Sequence, residues 1–386
     1  MRIAIDGRTL TGRFTGDRTY WRNLLQGLSE VDETNEFLVY SRDAVPAAER
    51  VRAPNFNYIE LHSATERLWT LRALPSALRK DRADVVHVQY TAPPRAFCPC
   101  PVVTTVHDIS FRLYPQWFPP LHRTLLNLTV PASMRRAARV ITVSESSRTD
   151  ILETYHLPPE KVVAILHGLP SGYEPAPGQS EAILKETSTR FAKQRLGTER
   201  PFILAVGVLQ PRKNLRMLAE AFGIAVQRYS LPHVLVFAGK AGWGTEQEAL
   251  RLAAESGGPG SGERILFPGY VEDDSLPHLY RACALFAYPS LYEGFGLPPL
   301  EAMAASAPVL VSDRPALPEV VGDAAMVLPA TDASAWAEAM GRLLTDGEMR
   351  DELAARGPAH ARKFTWRASA QKTFRVYQEA TNASGY

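Results

Sequence analysis

Residues 288–304 read Tyr288-Pro-Ser-Leu-Tyr-Glu-Gly-Phe-Gly-Leu-Pro-Pro-Leu-Glu-Ala-Met-Ala304. The apolar run that ends at Tyr288 has the length and character of a buried strand. A loop with two glycines follows. A helix is expected from about Pro298, where proline's fixed φ and missing N–H are tolerated. Loops at the carboxyl ends of parallel strands are where such sheets bind ligands. Gly294 and Gly296 allow close backbone approach. The N–H groups of Gly294, Phe295, Gly296 and Leu297 at the helix start favour phosphate oxygens. Glu293 and Glu301 bracket the loop eight positions apart. A carboxylate beside a phosphate is repelled, so sugar or ribose hydroxyls are the natural partners of both. The plainer alternative is a solvated loop glutamate and a glutamate favoured by the helix dipole.

The same alternation of short apolar runs and amphipathic stretches extends in both directions. Residues 202–206, 234–238, 265–267, 285–288 and 309–311 read as strands. Helical patterns lie at 215–226, 276–281, 298–305 and 333–344. An earlier series has strands at 2–5, 37–40, 85–88, 102–106 and 140–143, with helical patterns at 19–28 and 68–80. Strand alternating with helix gives a parallel sheet covered on both faces. At 386 residues the chain is long enough for two such domains. Three prolines and three glycines in 168–179 mark the join. The expected division is an N-terminal domain over 1–170 and a C-terminal domain over 180–365, with a terminal helix from 366.

The net charge of +2 gives no strong field for a nucleic-acid partner. No apolar run reaches the roughly 18–20 residues of a membrane span. The first six residues read as a buried strand rather than a signal peptide, which suggests a cytoplasmic enzyme. Cys98, Cys100 and Cys283 have neither redox nor zinc spacing, and no metal-ligand cluster is expected.

Three further segments carry chemistry. In Leu204-Ala-Val-Gly-Val-Leu-Gln-Pro-Arg-Lys-Asn-Leu215 a strand ends and a glycine loop at Gly207 follows. Arg212 and Lys213 then stand where they can neutralise a diphosphate, arginine as a planar fork and lysine as a point charge. In Thr104-Thr-Val-His-Asp-Ile-Ser110 a strand delivers His107 and Asp108 to its carboxyl end. The loop over 11–20 follows the first strand and opens a helix, with Gly16 and Arg18 in it.

Together these segments resemble the retaining glycosyltransferases of family 4, with their E-x7-E motif, over nearly the whole chain. The resemblance implies an α/β, GT-B architecture: two facing, doubly wound Rossmann-like domains, with the C-terminal helix crossing back to the first. It implies a nucleoside diphosphate sugar as donor in the C-terminal domain, an acceptor mainly on the N-terminal one, and no metal or other cofactor. Lys213 matches the family lysine on the pyrophosphate. Arg212 takes the place of an arginine that relatives carry directly after the glycine, where this chain has Val208. Glu301 would hold the nucleotide, Val271 would meet the nucleobase through its backbone, and Gly16 would face the diphosphate. His107 and Glu293 would stand at the reaction centre as candidate catalytic residues. Phe237-Ala-Gly-Lys-Ala-Gly-Trp243 resembles a further donor-side loop.

The acceptor side is less defined. Arg18, Asp108, Tyr114 and Trp117 are its candidates, although core packing is the default for the aromatics. Residues 64–82 form a basic, leucine-containing stretch interrupted by Pro75. Residues 1–150 carry a net +5 and the remainder −3, which suits a peripheral enzyme at the inner face of a membrane with an anionic or lipid-linked acceptor. A solvated helix explains the same stretch. The reading is a retaining hexosyltransferase in polysaccharide or glycoconjugate synthesis, with mannose from GDP-mannose as the donor guess and a saccharide or lipid-linked acceptor. A nucleotide-sugar epimerase of the same fold and a non-catalytic two-lobed sugar-binding protein are the alternatives. Oligomeric state is not readable from the sequence.

Overall fold

The structure is a computed structural model, and it describes residues 1–11, 16–175, 178–242 and 247–382. Thirteen strands are present among them. They are β1 (Arg2–Asp6), β2 (Glu36–Ser41), β3 (Phe56–Glu60), β4 (Val85–Gln89), β5 (Val102–Thr105), β6 (Arg139–Thr142), β7 (Val162–Ala164), β8 (Phe202–Val206), β9 (Val234–Ala238), β10 (Ile265–Gly269), β11 (Leu285–Tyr288), β12 (Val309–Ser312) and β13 (Met326–Leu328). The α-helices are α1 (Gly16–Ser29), α2 (Glu66–Leu68), α3 (Leu74–Lys80), α4 (Ser110–Leu113), α5 (Pro120–Arg136), α6 (Glu145–Tyr155), α7 (Glu181–Leu196), α8 (Leu215–Tyr229), α9 (Gln247–Gly257), α10 (Leu276–Ala282), α11 (Leu297–Ala304), α12 (Leu317–Val321), α13 (Ala333–Thr345), α14 (Gly347–Ala361) and α15 (Trp366–Asn382).

The chain forms two compact units. One comprises Met1–Gly168 with Thr365–Tyr386, the other Leu169–Phe364. The first unit holds a seven-stranded parallel sheet in the order β3-β2-β1-β4-β5-β6-β7. Its strands are apolar on both faces, as sheets covered by helices on both sides must be. Along β1 the side chains alternate: Ile3 and Ile5 pack with Trp21, Leu24 and Tyr377 on one face, and Ala4 packs with Trp69, Leu78 and Val88 on the other. Helix α15 belongs to the first face, where Ala370, Val376 and Tyr377 are buried. Tyr377 also shares a 2.7 Å hydrogen bond with the buried His87.

The second unit holds a six-stranded parallel sheet in the order β10-β9-β8-β11-β12-β13. Ile203, Leu235, Leu285 and Leu310 from its strands pack with Phe222, Trp336 and Met340 from α8 and α13. In each sheet the strand order reverses beside the first strand of the unit, between β1 and β4 and between β8 and β11. The connections leave in opposite directions there and open a crevice at the carboxyl ends of the strands.

The sequence-level elements differ from this structure in specific places. The single helical pattern at 68–80 is broken: a π-helical segment over Trp69–Ala73 separates α2 from α3. Pro75 explains it, because a proline has no N–H to donate and its ring crowds the preceding turn, and the wider turn relieves both. The edge strands β3, β7 and β13 and the helices α4, α5, α6, α7, α12 and α14 were not anticipated. β7 and β13 are three residues each, too short to show a period. Trp243 lies outside the described residues.

Candidate active site

The second unit's crevice is built by the loops that leave β8 and β11. Gly207 sits at φ +144°, and a Cβ there would come 3.3 Å from the Lys213 side chain. Glycine therefore lets the loop turn sharply and leaves room for the lysine. The two loops are stitched together by backbone and short side chains. Arg212 C=O accepts from Leu291 N–H (2.8 Å) and lies 3.1 Å from Ser290 Oγ. Asn214 Nδ2 donates to the carbonyls of Pro289 (3.2 Å) and Ala330 (2.6 Å).

Within this frame Glu293 gathers the two cations. Lys213 Nζ donates to Glu293 Oε1 (2.6 Å), and Arg212 Nη1 to Glu293 Oε2 (2.8 Å). Ser290 Oγ donates to the same Oε1 (2.5 Å). Lys213 Nζ also donates to the Tyr288 hydroxyl and lies 4.6 Å from that ring's centroid. Burial pushes the Glu293 carboxyl up, but Arg212 and Lys213 outweigh it and hold its pKa near 2. Glu293 is a carboxylate at neutral pH, and the trio carries a net +1. A buried net positive charge at the carboxyl end of a sheet has the chemistry to hold an anion.

Glu301 has a different environment. It lies within α11, buried, and accepts from the Tyr280 hydroxyl (2.9 Å). Burial raises its pKa to about 7, against the opposing hydrogen bonds of Tyr280 and Tyr173. Helix α11 starts after Gly296, whose φ of +114° lets the chain turn from the loop into the helix. The helix is apolar and almost wholly buried. Gly294 and Phe295 are buried in the connecting loop, with Leu297 at the first helical position. Phe295 packs edge-on to Phe364 at 6.1 Å. Val271 is buried just after β10. Tyr270 beside it has the Lys240 ammonium 4.5 Å from its ring centroid.

In the first unit, His107 follows β5, and Gln89 is the last residue of β4, at the reversal point. Gln89 Nε2 lies 3.2 Å from His107 Nε2, and Asp17 Oδ1 is 3.7 Å from the same nitrogen. Tyr20 meets the imidazole edge-on at 4.9 Å, and His167 does so at 5.6 Å. Burial lowers the His107 pKa, with Asp17 and Asp108 opposing. The imidazole is therefore neutral near pH 7, with one nitrogen to donate and one to accept. A cavity of about 710 Å³ opens nearby at the carboxyl ends of β1 and β2, lined by Arg8, Thr9, Asp17, Arg42 and Glu66 among others.

The structure thus brings Gly207, Arg212, Lys213 and Glu293 into one cluster, and it places Glu301 in a separate polar pocket with Tyr280 and Tyr173. Other candidates serve local structure. Asp108 Oδ1 accepts from Ser110 N–H (2.8 Å) and Oγ (2.5 Å), which closes the turn into α4. Arg18, two residues after Gly16 in α1, pairs with Glu49 at 2.5 Å. Trp117 is buried and stacks on Tyr114 at 4.2 Å. The sequence reading did not single out Tyr288, Ser290, Tyr280, Gln89 or Tyr20. Tyr288 and Ser290 stand inside the 288–304 stretch, so their proximity to Glu293 was a signal. Tyr280 and Gln89 come from other elements and left none.

Residues 186–360 match the family described as glycosyl transferases group 1, and residues 15–171 match Glycosyltransferase Family 4. An O-antigen chain mannosyltransferase B from Escherichia coli is 34% identical over 277 residues, 72% of this chain and 70% of that protein. Sucrose-phosphate synthase from Thermosynechococcus elongatus superposes with a TM-score of 0.75 over 100% of both chains at 20% identity. HepE from Anabaena, solved with UDP and glucose, gives 0.71 over 98% of this chain and 99% of its own at 19% identity. Two doubly wound units with a cationic crevice, the family matches and the shared GT-B fold agree, and this chain belongs to the family 4 glycosyltransferases.

Proposed function

We propose that this enzyme transfers mannose, with retention of configuration, from GDP-mannose to a saccharide or lipid-linked acceptor in polysaccharide synthesis. The observation that carries the reading is the Lys213–Glu293–Arg212 trio at the reversal point of the second sheet. Departure of a nucleoside diphosphate leaves developing negative charge on phosphate oxygens. Preorganised donors aimed at that charge stabilise the transition state most. Lys213 and Arg212 supply them, and Glu293 holds both in place without cancelling them. With this counter-charge in the protein, the reaction proceeds without a divalent cation. The N–H groups at the start of α11 add donors for the same phosphates. Ribose hydroxyls donate to Glu301, and the Val271 backbone meets the base. Glu293, held ionised, does not act as a general acid. The leaving phosphate takes the acceptor proton on the face it departs from, which gives retention.

His107 is neutral, and its role is one hydrogen bond to the transferring sugar. The similarity to the Escherichia coli mannosyltransferase supports mannose as the sugar. The test is a panel of nucleoside diphosphate sugars with oligosaccharide and lipid-linked acceptors, read by mass spectrometry of the products. The reading expects a hexose added from GDP-mannose. Release of an epimerised nucleotide sugar without acceptor would replace it. In the same assay His107→Ala should lower kcat by about tenfold or more with GDP affinity unchanged, because a contact made in the transition state appears in kcat.

A further inference from the structure

Helix α5 presents a row of leucines outward, opposite the Val130 and Met134 side chains that pack on the core. Leu121, Leu125 and Leu128 are 85%, 51% and 69% exposed, and their spacing of four and three residues puts them in one row along the helix. Ala132 and Arg135 continue that row and are exposed as well. Between Pro120 and Thr129 no residue of α5 is buried. The helix is anchored mainly in its second half, by Val130, Pro131, Ser133 and Met134, with the partly buried Leu126 packed against the same core. Leu113, at the end of α4, adds a further exposed apolar side chain. A row of leucines in water is unfavourable and marks a surface that is covered in use.

The charges around it say by what. Asp108 is the only carboxylate between Asp84 and Glu145, a span that contains six arginines, Arg95, Arg112, Arg123, Arg135, Arg136 and Arg139. Arg95, Arg112 and Arg135 are exposed. Lys161 reaches the far end of α5, where its ammonium donates to the Arg135 carbonyl. Arg139, beyond the helix, pairs with Glu379. A second copy of the same face would set arginine against arginine, so self-association is disfavoured. Leucines flanked by arginines, in a span whose one carboxylate, Asp108, is engaged by Ser110, match an anionic lipid surface, where the apolar row enters the acyl boundary and the cations meet headgroup phosphates.

We propose that α5 docks this protein on anionic membrane through Leu121, Leu125 and Leu128, with Arg112 and Arg135 at the headgroups. This surface differs from the 64–82 stretch, whose Trp69, Leu74 and Leu78 are buried in the core. It shares no residue with the proposed donor site, so either can fail without the other.

The test is flotation of the full chain with phosphatidylcholine vesicles that contain or lack phosphatidylglycerol. The proposal expects binding to the phosphatidylglycerol vesicles alone, weakened by salt. The double variant Leu121→Glu/Leu125→Glu should lose about tenfold or more of that binding, as should Arg135→Glu to a smaller extent. All variants should melt at the wild-type temperature, since these side chains are exposed. Equal flotation of wild type and the leucine variant would overturn the proposal, as would no flotation of wild type. Salt-independent binding to neutral vesicles would overturn the electrostatic half. A wild-type dimer in sedimentation velocity that the leucine pair dissolves would assign the face to a second copy instead.

Discussion

Glu293 and Glu301 are eight residues apart and have opposite electrostatics. Glu293 has two cations within hydrogen-bonding distance and is held near pKa 2. Among the described residues Glu301 has tyrosine hydroxyls and no cation as hydrogen-bond partners, and burial lifts it to about 7. The sign for Glu301 follows from proton linkage. A folded pKa above the unfolded value means the native state holds the proton more tightly, so its stability is full below the unfolded pKa and declines as pH rises through about 7. Glu301→Gln removes that decline. It should stabilise the protein by about 2–3 kcal/mol at about pH 8 and by little at about pH 5, as read by urea unfolding at the two pH values. In the proposed site, ribose hydroxyls donate more strongly to the ionised form than to the neutral carboxyl. GDP affinity of the wild type should therefore rise from about pH 6 to about pH 8, with a proton released, and the glutamine variant should bind weakly at both. A wild-type affinity that is flat with pH would remove Glu301 from the ribose.

At the scale of elements, the turn from the β11 loop into α11 depends on Gly296. Its φ of +114° is costly for any residue with a Cβ, and that Cβ would fall 2.8 Å from Leu317 Cδ2. Leu317 is fully buried and has little room to move. Gly296→Ala should cost about 1–3 kcal/mol in urea unfolding and weaken GDP binding, because the loop that carries Glu293 is displaced. Loss of stability with nucleotide affinity intact would show that the loop is held from the β8 side alone. The same elements show what was legible beforehand. Central strands such as Phe202–Val206 and Leu285–Tyr288 are continuous apolar runs, and their ends were readable to the residue. Helix α5 was not, because three of its four leucines are exposed and its pattern is that of no buried helix. The pairing of Lys213 with Glu293 spans 80 positions, and single-segment spacing carries no information about it. Both residues were nevertheless candidates, because each stands at the end of a strand with chemistry suited to a phosphate or a sugar.

At the scale of the whole molecule, the first unit is completed by residues from the far end of the chain. Ala370, Val376 and Tyr377 of α15 close the face that carries Ile3, Ile5 and Trp21, and Tyr377 shares a hydrogen bond with the buried His87. A chain ending at residue 365 should leave that face open. Amides of β1, β4 and β5 should then exchange at unprotected rates while those of β8, β9 and β11 stay protected, read by hydrogen exchange with mass spectrometry. Protection of β1 in the shortened chain would show that α15 is dispensable. The central claim, that the Lys213–Glu293–Arg212 trio holds the donor diphosphate without a metal, is tested most directly by calorimetric titration of GDP in excess chelator into wild type and Lys213→Ala. Wild type should bind, and the variant should bind at least about tenfold more weakly, as expected for one lost charge-assisted hydrogen bond. Equal affinity in the two proteins, or wild-type binding that appears only when magnesium is restored, would contradict it.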